Sequence, residues 1–259
     1  MKKKEEIKYL DKEWQEMNAH LKGFLASGDQ EELHQFRVQV KKLNAMLNLF
    51  EHTSRQRKLL KHFKPVRKIF KHAGHIRDAH TSLQLSSRFE LNNQAFEVNQ
   101  QRIIAEGTNE FREKGDIYIK DIKTAYKHLK KQLNRVDDSV IEAYYKKQLE
   151  LIAANMETPK FTDDMHDNRK LIKILVYNHK LAEKAFNGSF HFNTGYLDEL
   201  QKRIGEWHDN VVAAQLFASP ELNDKPVAAL INKKNIAVKR AIKLLANDFM
   251  KKATTADGK

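Results

Sequence analysis

Between Asp29 and Phe50 the apolar residues Leu33, Phe36, Val40, Leu43, Leu47 and Phe50 recur at steps of three and four. That spacing sets six side chains on one seam of an α-helix. The same period runs through the rest of the chain. Ile7, Leu10, Trp14, Met17, Leu21 and Phe24/Leu25 mark a helix over residues 1–26 that ends at Ser27-Gly28. Asp29 with Glu32 three residues on has the form of a capping box, and the helix it opens runs to about His52. Leu59, Phe63, Val66 and Phe70 supply the buried face of a basic helix from Arg55 onward. Pro65 marks a helix start or a kink in it. That helix continues through Gly74 to about Phe89, a polar helix covers 92–113, and Gly115-Asp116 breaks the chain before a basic helix over 117–136. Further helices are expected over 139–156, from Asp163/Asp164 to about Asn187-Gly188, over 196–217 and over 227–250, with a frayed tail after Lys252.

One residue round from the leading seam runs a second line, His34, Arg37 and Lys41. It lies beside the buried seam, away from the far solvent face. His166, Arg169 and Lys173 repeat this pattern 132 positions later. A second motif, Lys-x-x-Gly-x-x-x-Asp, occurs as Lys71, Gly74, Asp78 and again as Lys202, Gly205, Asp209, 131 positions on. A basic helix closes each half, with Lys123, Lys127 and Lys130 in the first and Lys239, Arg240 and Lys243 in the second. Two motifs at nearly the same offset point to an internal duplication, with repeats of about 1–136 and 137–252. Each repeat reads as an up-and-down helical bundle.

Composition agrees with an all-α chain: 9 Gly and 4 Pro in 259 residues, with no long β-branched runs. The absence of Cys excludes a disulfide framework and any thiolate metal site. Met1 to Glu6 begins with lysines that no apolar segment follows, and the longest apolar stretch, Val211 to Ala218, is too short to span a bilayer. The expectation is a soluble cytoplasmic protein with no membrane partner. The formal charge of +13 attracts polyanions such as nucleic acid, an acidic membrane or polyphosphate, although a lysine-rich solvated surface gives the same number.

Positions i, i+3 and i+7 share one face, so His34, Arg37 and Lys41 can converge on one anion. Arg offers a planar fork that matches phosphate oxygens, and Lys a point charge. Gly inside a helix costs about 1 kcal/mol against Ala, so its recurrence implies a close approach there. Asp78 and Asp209 are expected to hold an Arg or His of the preceding helix as structural ion pairs. A metal reading competes with this. Glu31/His34 and Asp163/His166 have the spacing of di-iron bundle ligands, and His208-Asp209 resembles a metal-phosphohydrolase pair. Arg37 and Lys41 would repel a cation there, and the acids suit first-turn positions on the helix dipole. No metal, cofactor, P-loop or catalytic nucleophile is expected. The basic helices lack exposed aromatics for stacking bases, with Phe36, Phe50, Phe63 and Phe70 on core seams.

The leading helix from His34 to Leu43, the run Gly74-His75-Ile76-Arg77-Asp78, Tyr126-Lys127 with Lys130, His166-Asp167-Asn168-Arg169-Lys170 with Lys173 and Tyr177, and Gly205-Glu206-Trp207-His208-Asp209 together resemble the CHAD family, the conserved histidine α-helical domain. The resemblance spans residues 5–250 or so. It implies a single domain of two four-helix bundles related by a pseudo-two-fold, with a basic cleft or pore between them. It also implies binding of inorganic polyphosphate without catalysis. By position it brings in Lys42, Arg77, Lys170 and His208 as further polyphosphate contacts, with Tyr126 and Tyr177 as structural support. Asn44 and Val176 stand where the family's leading helices usually carry another Arg, and His208 where the first repeat has Arg77. The alternatives are a metal-dependent phosphohydrolase and a non-specific RNA- or DNA-binding protein.

Overall fold

The computed structural model describes residues 3–53, 58–90, 93–134, 136–186 and 190–255. Among these residues there are eleven helices and no strand. The chain divides into two compact units, Met1–Val136 and Asp137–Lys259.

The first unit holds α1 (Lys3–Ser27), α2 (Gln30–Thr53), a single turn α3 (Leu59–His62), α4 (Lys64–Arg88), α5 (Gln94–Glu113) and α6 (Gly115–Gln132). All six residues of the leading seam on α2 are buried, none more than 2% exposed. They close on Leu10, Trp14, Met17, Leu21 and Phe24 of α1, which are likewise buried. Helix α2 packs on α1 and α4, α5 packs on α4, and α6 packs on α4 and α1. Gly28 makes the α1–α2 turn at φ +75°, a left-handed conformation that suits a residue without a side chain.

Several local expectations change. Asp29 accepts from the backbone N–H of Glu31 at 2.9 Å, but the capping box does not close. Glu32 is drawn instead to His20 Nδ1, 2.8 Å away on α1. Pro65 lies in the first turn of α4, so it starts a helix and kinks none. Leu59, Phe63, Val66 and Ile69 form the buried face there, while Phe70 is half-buried and turned away from the core. Arg55 and Arg57, read as the start of this helix, lie outside the described residues, as do Arg135 and Asn187-Gly188. The break expected at Gly115-Asp116 falls at Lys114, with Gly115 the first residue of α6.

The second unit holds α7 (Asp138–Glu157), α8 (Asp163–Phe186), α9 (Thr194–Ala218), α10 (Lys225–Ala246) and α11 (Phe249–Thr254). Helix α8 packs on α7 and α9, α10 packs mainly on α9, and α11 on α7 and α9. Tyr145, with none of its surface exposed, donates its hydroxyl to the Leu175 carbonyl at 2.9 Å. The expected helix over 227–250 is broken at Asp248, whose φ of +53° stops the helix and turns the chain into α11. Of the segment read as a frayed tail, Ala253 is buried and its carbonyl accepts from Asn193 N at 2.9 Å, while residues 256–259 lie outside the described residues.

The two basic closing helices, α6 and α10, each pack on the glycine-bearing helix of their unit. Helix α10 packs most extensively on α9, and the polar α5 packs most extensively on α4. Each opens on a side-chain cap, Asn93 accepting from Phe96 N and Asp224 from Val227 N. The basic α6 packs on α4 and α1, while both α10 and the six-residue α11 pack on α9 and α7.

Two arginine seats as the candidate functional site

The His-Arg-Lys line of α2 faces α4. Arg37 Nη1 donates to the Phe70 carbonyl at 2.8 Å, and its Cζ lies 4.2 Å from the centroid of the Phe70 ring. A Cβ at Gly74 would come within 2.9 Å of the same Nη1. The logic is local. In a helix the carbonyl of Phe70 accepts from the N–H of Gly74 and keeps a second lone pair. Only a residue without a side chain at Gly74 leaves room for a guanidinium to reach that lone pair.

The same construction occurs in the second unit on α8 and α9. Arg169 Nε donates to the Gln201 carbonyl at 3.1 Å, four residues before Gly205. A Cβ at Gly205 would meet Arg169 Nη2 at 2.7 Å. The close approach expected at both glycines is therefore real, and what approaches is an arginine of the preceding helix. Phe70 and Gln201 escaped the sequence reading because they act through their carbonyls. Their position four residues before each glycine was the available signal.

Around the first seat stand His34, Arg77 and Asp78. Burial pulls the His34 imidazole below its ordinary pKa, with Arg77 next in effect, Lys41 and Arg37 adding to it, and Glu31 opposing. Burial also lowers Arg37, which Asp78 opposes and Arg77 reinforces. Arginine stays charged regardless. Arg77 Nη1 donates to His80 Nδ1 at 2.7 Å, which brings in a histidine the sequence reading missed. Lys41 Nζ stands 5.9 Å from the Phe70 centroid.

Around the second seat, His208 takes the place of Arg77. The His166 and His208 rings stack at 4.3 Å with 23° between their planes. His166 Nδ1 is buried and has no hydrogen-bond partner. Burial lowers the His166 pKa, followed by His208, Lys170 and Arg169, with Asp167 opposing. Two stacked imidazoles resist carrying charge together unless an anion sits beside them.

The other candidates divide. Asp78 makes no ion pair with Arg37 and acts on it only through space, and Asp209 lies 3.8 Å from its neighbour His208 without reaching α8. Both depart from the expected interhelix pairs. Lys42 turns to the buried Glu13 of α1 at 3.7 Å. Lys130 pairs with Asp11 at 2.9 Å, and Tyr126 donates to the same carboxylate at 2.6 Å, so both belong to the α1–α6 contact. Lys170 is tied to Asp167 at 2.8 Å and Lys202 to Asp198 at 2.6 Å. Lys173 lies 5.3 Å from the Tyr177 ring centroid, and Lys239 lies 5.3 Å from that of Phe161. Lys71, Lys123, Lys127, Arg240 and Lys243 are exposed and make no ion pair among the described residues. No group of three or more His, Asp or Glu positioned to hold a metal occurs among the described residues. Nor is any helix there long and apolar enough to cross a membrane.

Comparison with protein families matches residues 8–218 to the CHAD domain. This chain belongs to the CHAD family. The match takes in both arginine seats and ends at Ala218, so the CHAD-matched region stops before α10 and leaves Lys239, Arg240 and Lys243 outside it. No curated protein and no solved structure gave a match.

The seats make a prediction about the CHAD glycines. Gly205→Ala gains about 1 kcal/mol of helix propensity, and the atoms its Cβ meets are the mobile end of a side chain. The variant should melt no lower than the parent while the Arg169 Nε–H resonance shifts as its bond to Gln201 is lost. A lower melting temperature with an unmoved Arg169 resonance would make Gly205 a packing residue only.

Proposed function

We propose that this CHAD chain binds inorganic polyphosphate, without catalysis, through the two arginine seats and the histidines beside them. The observation that carries the reading is the pair of half-buried guanidiniums, each held by one backbone carbonyl against a glycine. Anchoring through one or two N–H groups leaves the remaining donors of each fork for an acceptor. Phosphate oxygens match that fork, and in each patch a histidine and further cations surround it. Membership of the CHAD family supports the same ligand. The phosphohydrolase alternative finds less support, since the acids near the seats do not converge and the groups that do converge are cationic.

We also read the chain as an internal duplication of a helical bundle. Arg37, Phe70 and Gly74 answer to Arg169, Gln201 and Gly205 at offsets of 132, 131 and 131. The caps Asn93 and Asp224 stand 131 residues apart and each opens the helix packed on the glycine-bearing one. On this alignment α10 answers to α5.

Charge gives the first test. Arg37→Ala with Arg169→Ala should weaken binding of long-chain polyphosphate far more than Lys8→Ala with Lys147→Ala, two exposed lysines on α1 and α7. Lys252 would be a poor control, since its Nζ bonds the Leu244 and Leu245 carbonyls. Phosphate contacts release counterions, so the arginine variant should also show a shallower dependence of affinity on salt. Equal losses in the two variants would reduce the site to diffuse charge. Readier displacement of polyphosphate by RNA than of RNA by polyphosphate would favour a nucleic-acid ligand.

Proton linkage gives the second. The free-state pKa values of His34 and His166 are depressed below 6.5. A bound polyanion reverses the local field and favours imidazolium, so the bound-state values lie higher and binding takes up protons. Affinity should therefore rise as pH falls from about 8 to about 6. His34→Gln with His166→Gln keeps a donor at each position and removes the titration. Long chains keep the titrating phosphate ends few. The same pH dependence in parent and double variant would make these histidines structural.

A further inference from the structure

A cavity in the first unit is lined by none of the residues of the arginine seat. Helices α1 and α6 run antiparallel: Tyr126 meets Asp11 at one end and Gly115 lies against Leu25 at the other. Between these contacts they part and leave a groove of about 680 Å³. That volume lies within the roughly 300–1,000 Å³ of small-molecule sites.

Four polar side chains enter this groove without an intramolecular partner among the described residues: Gln15, Asn18 and Lys22 from α1, and Lys123 from α6. The one acid in it, Asp11, is already answered by Lys130 at 2.9 Å and the Tyr126 hydroxyl at 2.6 Å. The groove is therefore cationic through Lys22 and Lys123. Its inner wall is apolar at Trp14, Ala19 and Ile119, with Trp14 only 3% exposed. Lys123 lies nearer the Asp11 end and Lys22 nearer the Leu25 end. Lys22 stands eleven residues along α1 from Asp11 and only three from Leu25. By the helical rise, Gln15 and Lys22 are separated by roughly 10 Å along the axis.

An inorganic chain would leave the apolar wall and the two amides without work. A purely apolar ligand would leave two lysines facing it. The geometry points to a binding site for a nucleoside polyphosphate in the α1–α6 groove, separate from the arginine seats. The base lies over the Trp14 side with Gln15 and Asn18 at its polar edge, and the phosphates run past Lys123 to Lys22. Paired amides read donor and acceptor atoms together, which a base edge offers and a phosphate does not. No bond is made or broken; the site binds only.

The experiment is isothermal titration of the full chain with ATP in the presence of a chelator, so that no metal enters. Adenosine, and inorganic tripolyphosphate titrated into the Arg37→Ala/Arg169→Ala variant so that the arginine seats do not take it up, serve as separate probes of the two halves of the ligand. One ATP per chain is expected, with adenosine and tripolyphosphate each weaker. Lys22→Ala should weaken ATP by about tenfold and Lys22→Ala/Lys123→Ala further. Arg37→Ala/Arg169→Ala should leave ATP binding as it was. Both lysines are exposed, so circular dichroism should show the parent's helix content. Long-chain polyphosphate affinity is measured in parallel on the parent and on Lys22→Ala, where it should not change. ATP binding that survives loss of both lysines, or that disappears with the arginines, would overturn the proposal. So would the absence of any heat with ATP at millimolar concentration. Failure of polyphosphate to bind the parent would instead strike the function proposed above and leave the groove untouched.

Discussion

A guanidinium that is half out of water needs an acceptor, space and a reason to stay charged. Arg37 and Arg169 meet the first two needs with the same device, a helix carbonyl four residues before a glycine. The device constrains much around it. It fixes the local separation of α2 from α4 and of α8 from α9, because a methyl group at either glycine would collide with the fork. It keeps a glycine inside each helix at a cost of about 1 kcal/mol in propensity. It also aims the unused N–H groups, since a planar fork held at one corner has its other donors fixed in direction.

The two seats are alike in construction and unlike in charge. The first is accompanied by Arg77, a permanent cation already bonded to His80. The second is accompanied by His208, stacked on His166, whose buried Nδ1 lacks a partner. Both patches hold a histidine, His34 or His166, whose pKa burial lowers.

How much of this was legible follows from the range of each interaction. The seam Leu33 to Phe50 is a local period, and every member is buried. The pairing of His34, Arg37 and Gly74 with His166, Arg169 and Gly205 was visible as matched offsets. The carbonyl that holds each arginine was not, because backbone acceptors carry no residue type. Phe70 reads as a core residue from its aromatic ring, yet helical drift from Phe63 and Val66 hands the core position to Ile69. Lys42 and Lys130 read as free cations because Glu13 and Asp11 lie 29 and 119 residues away in sequence, beyond any local pattern. The correspondence proposed between α5 and α10 is not visible in composition: α10 carries no acid, while α5 carries several. The cap residues Asn93 and Asp224 are tied to helix starts and support that proposed correspondence.

The central claim is that the arginine seats, and no general excess of lysine, receive the phosphate chain. It is tested most directly by a crystal structure of the full chain grown at low salt with inorganic tripolyphosphate. The account predicts phosphate oxygens within hydrogen-bond distance of the free guanidinium N–H groups of Arg37 and Arg169, with a ring nitrogen of His166 in reach of the second anion. Phosphate found along the lysines of α10 or α6, with both arginine forks bare, would contradict it.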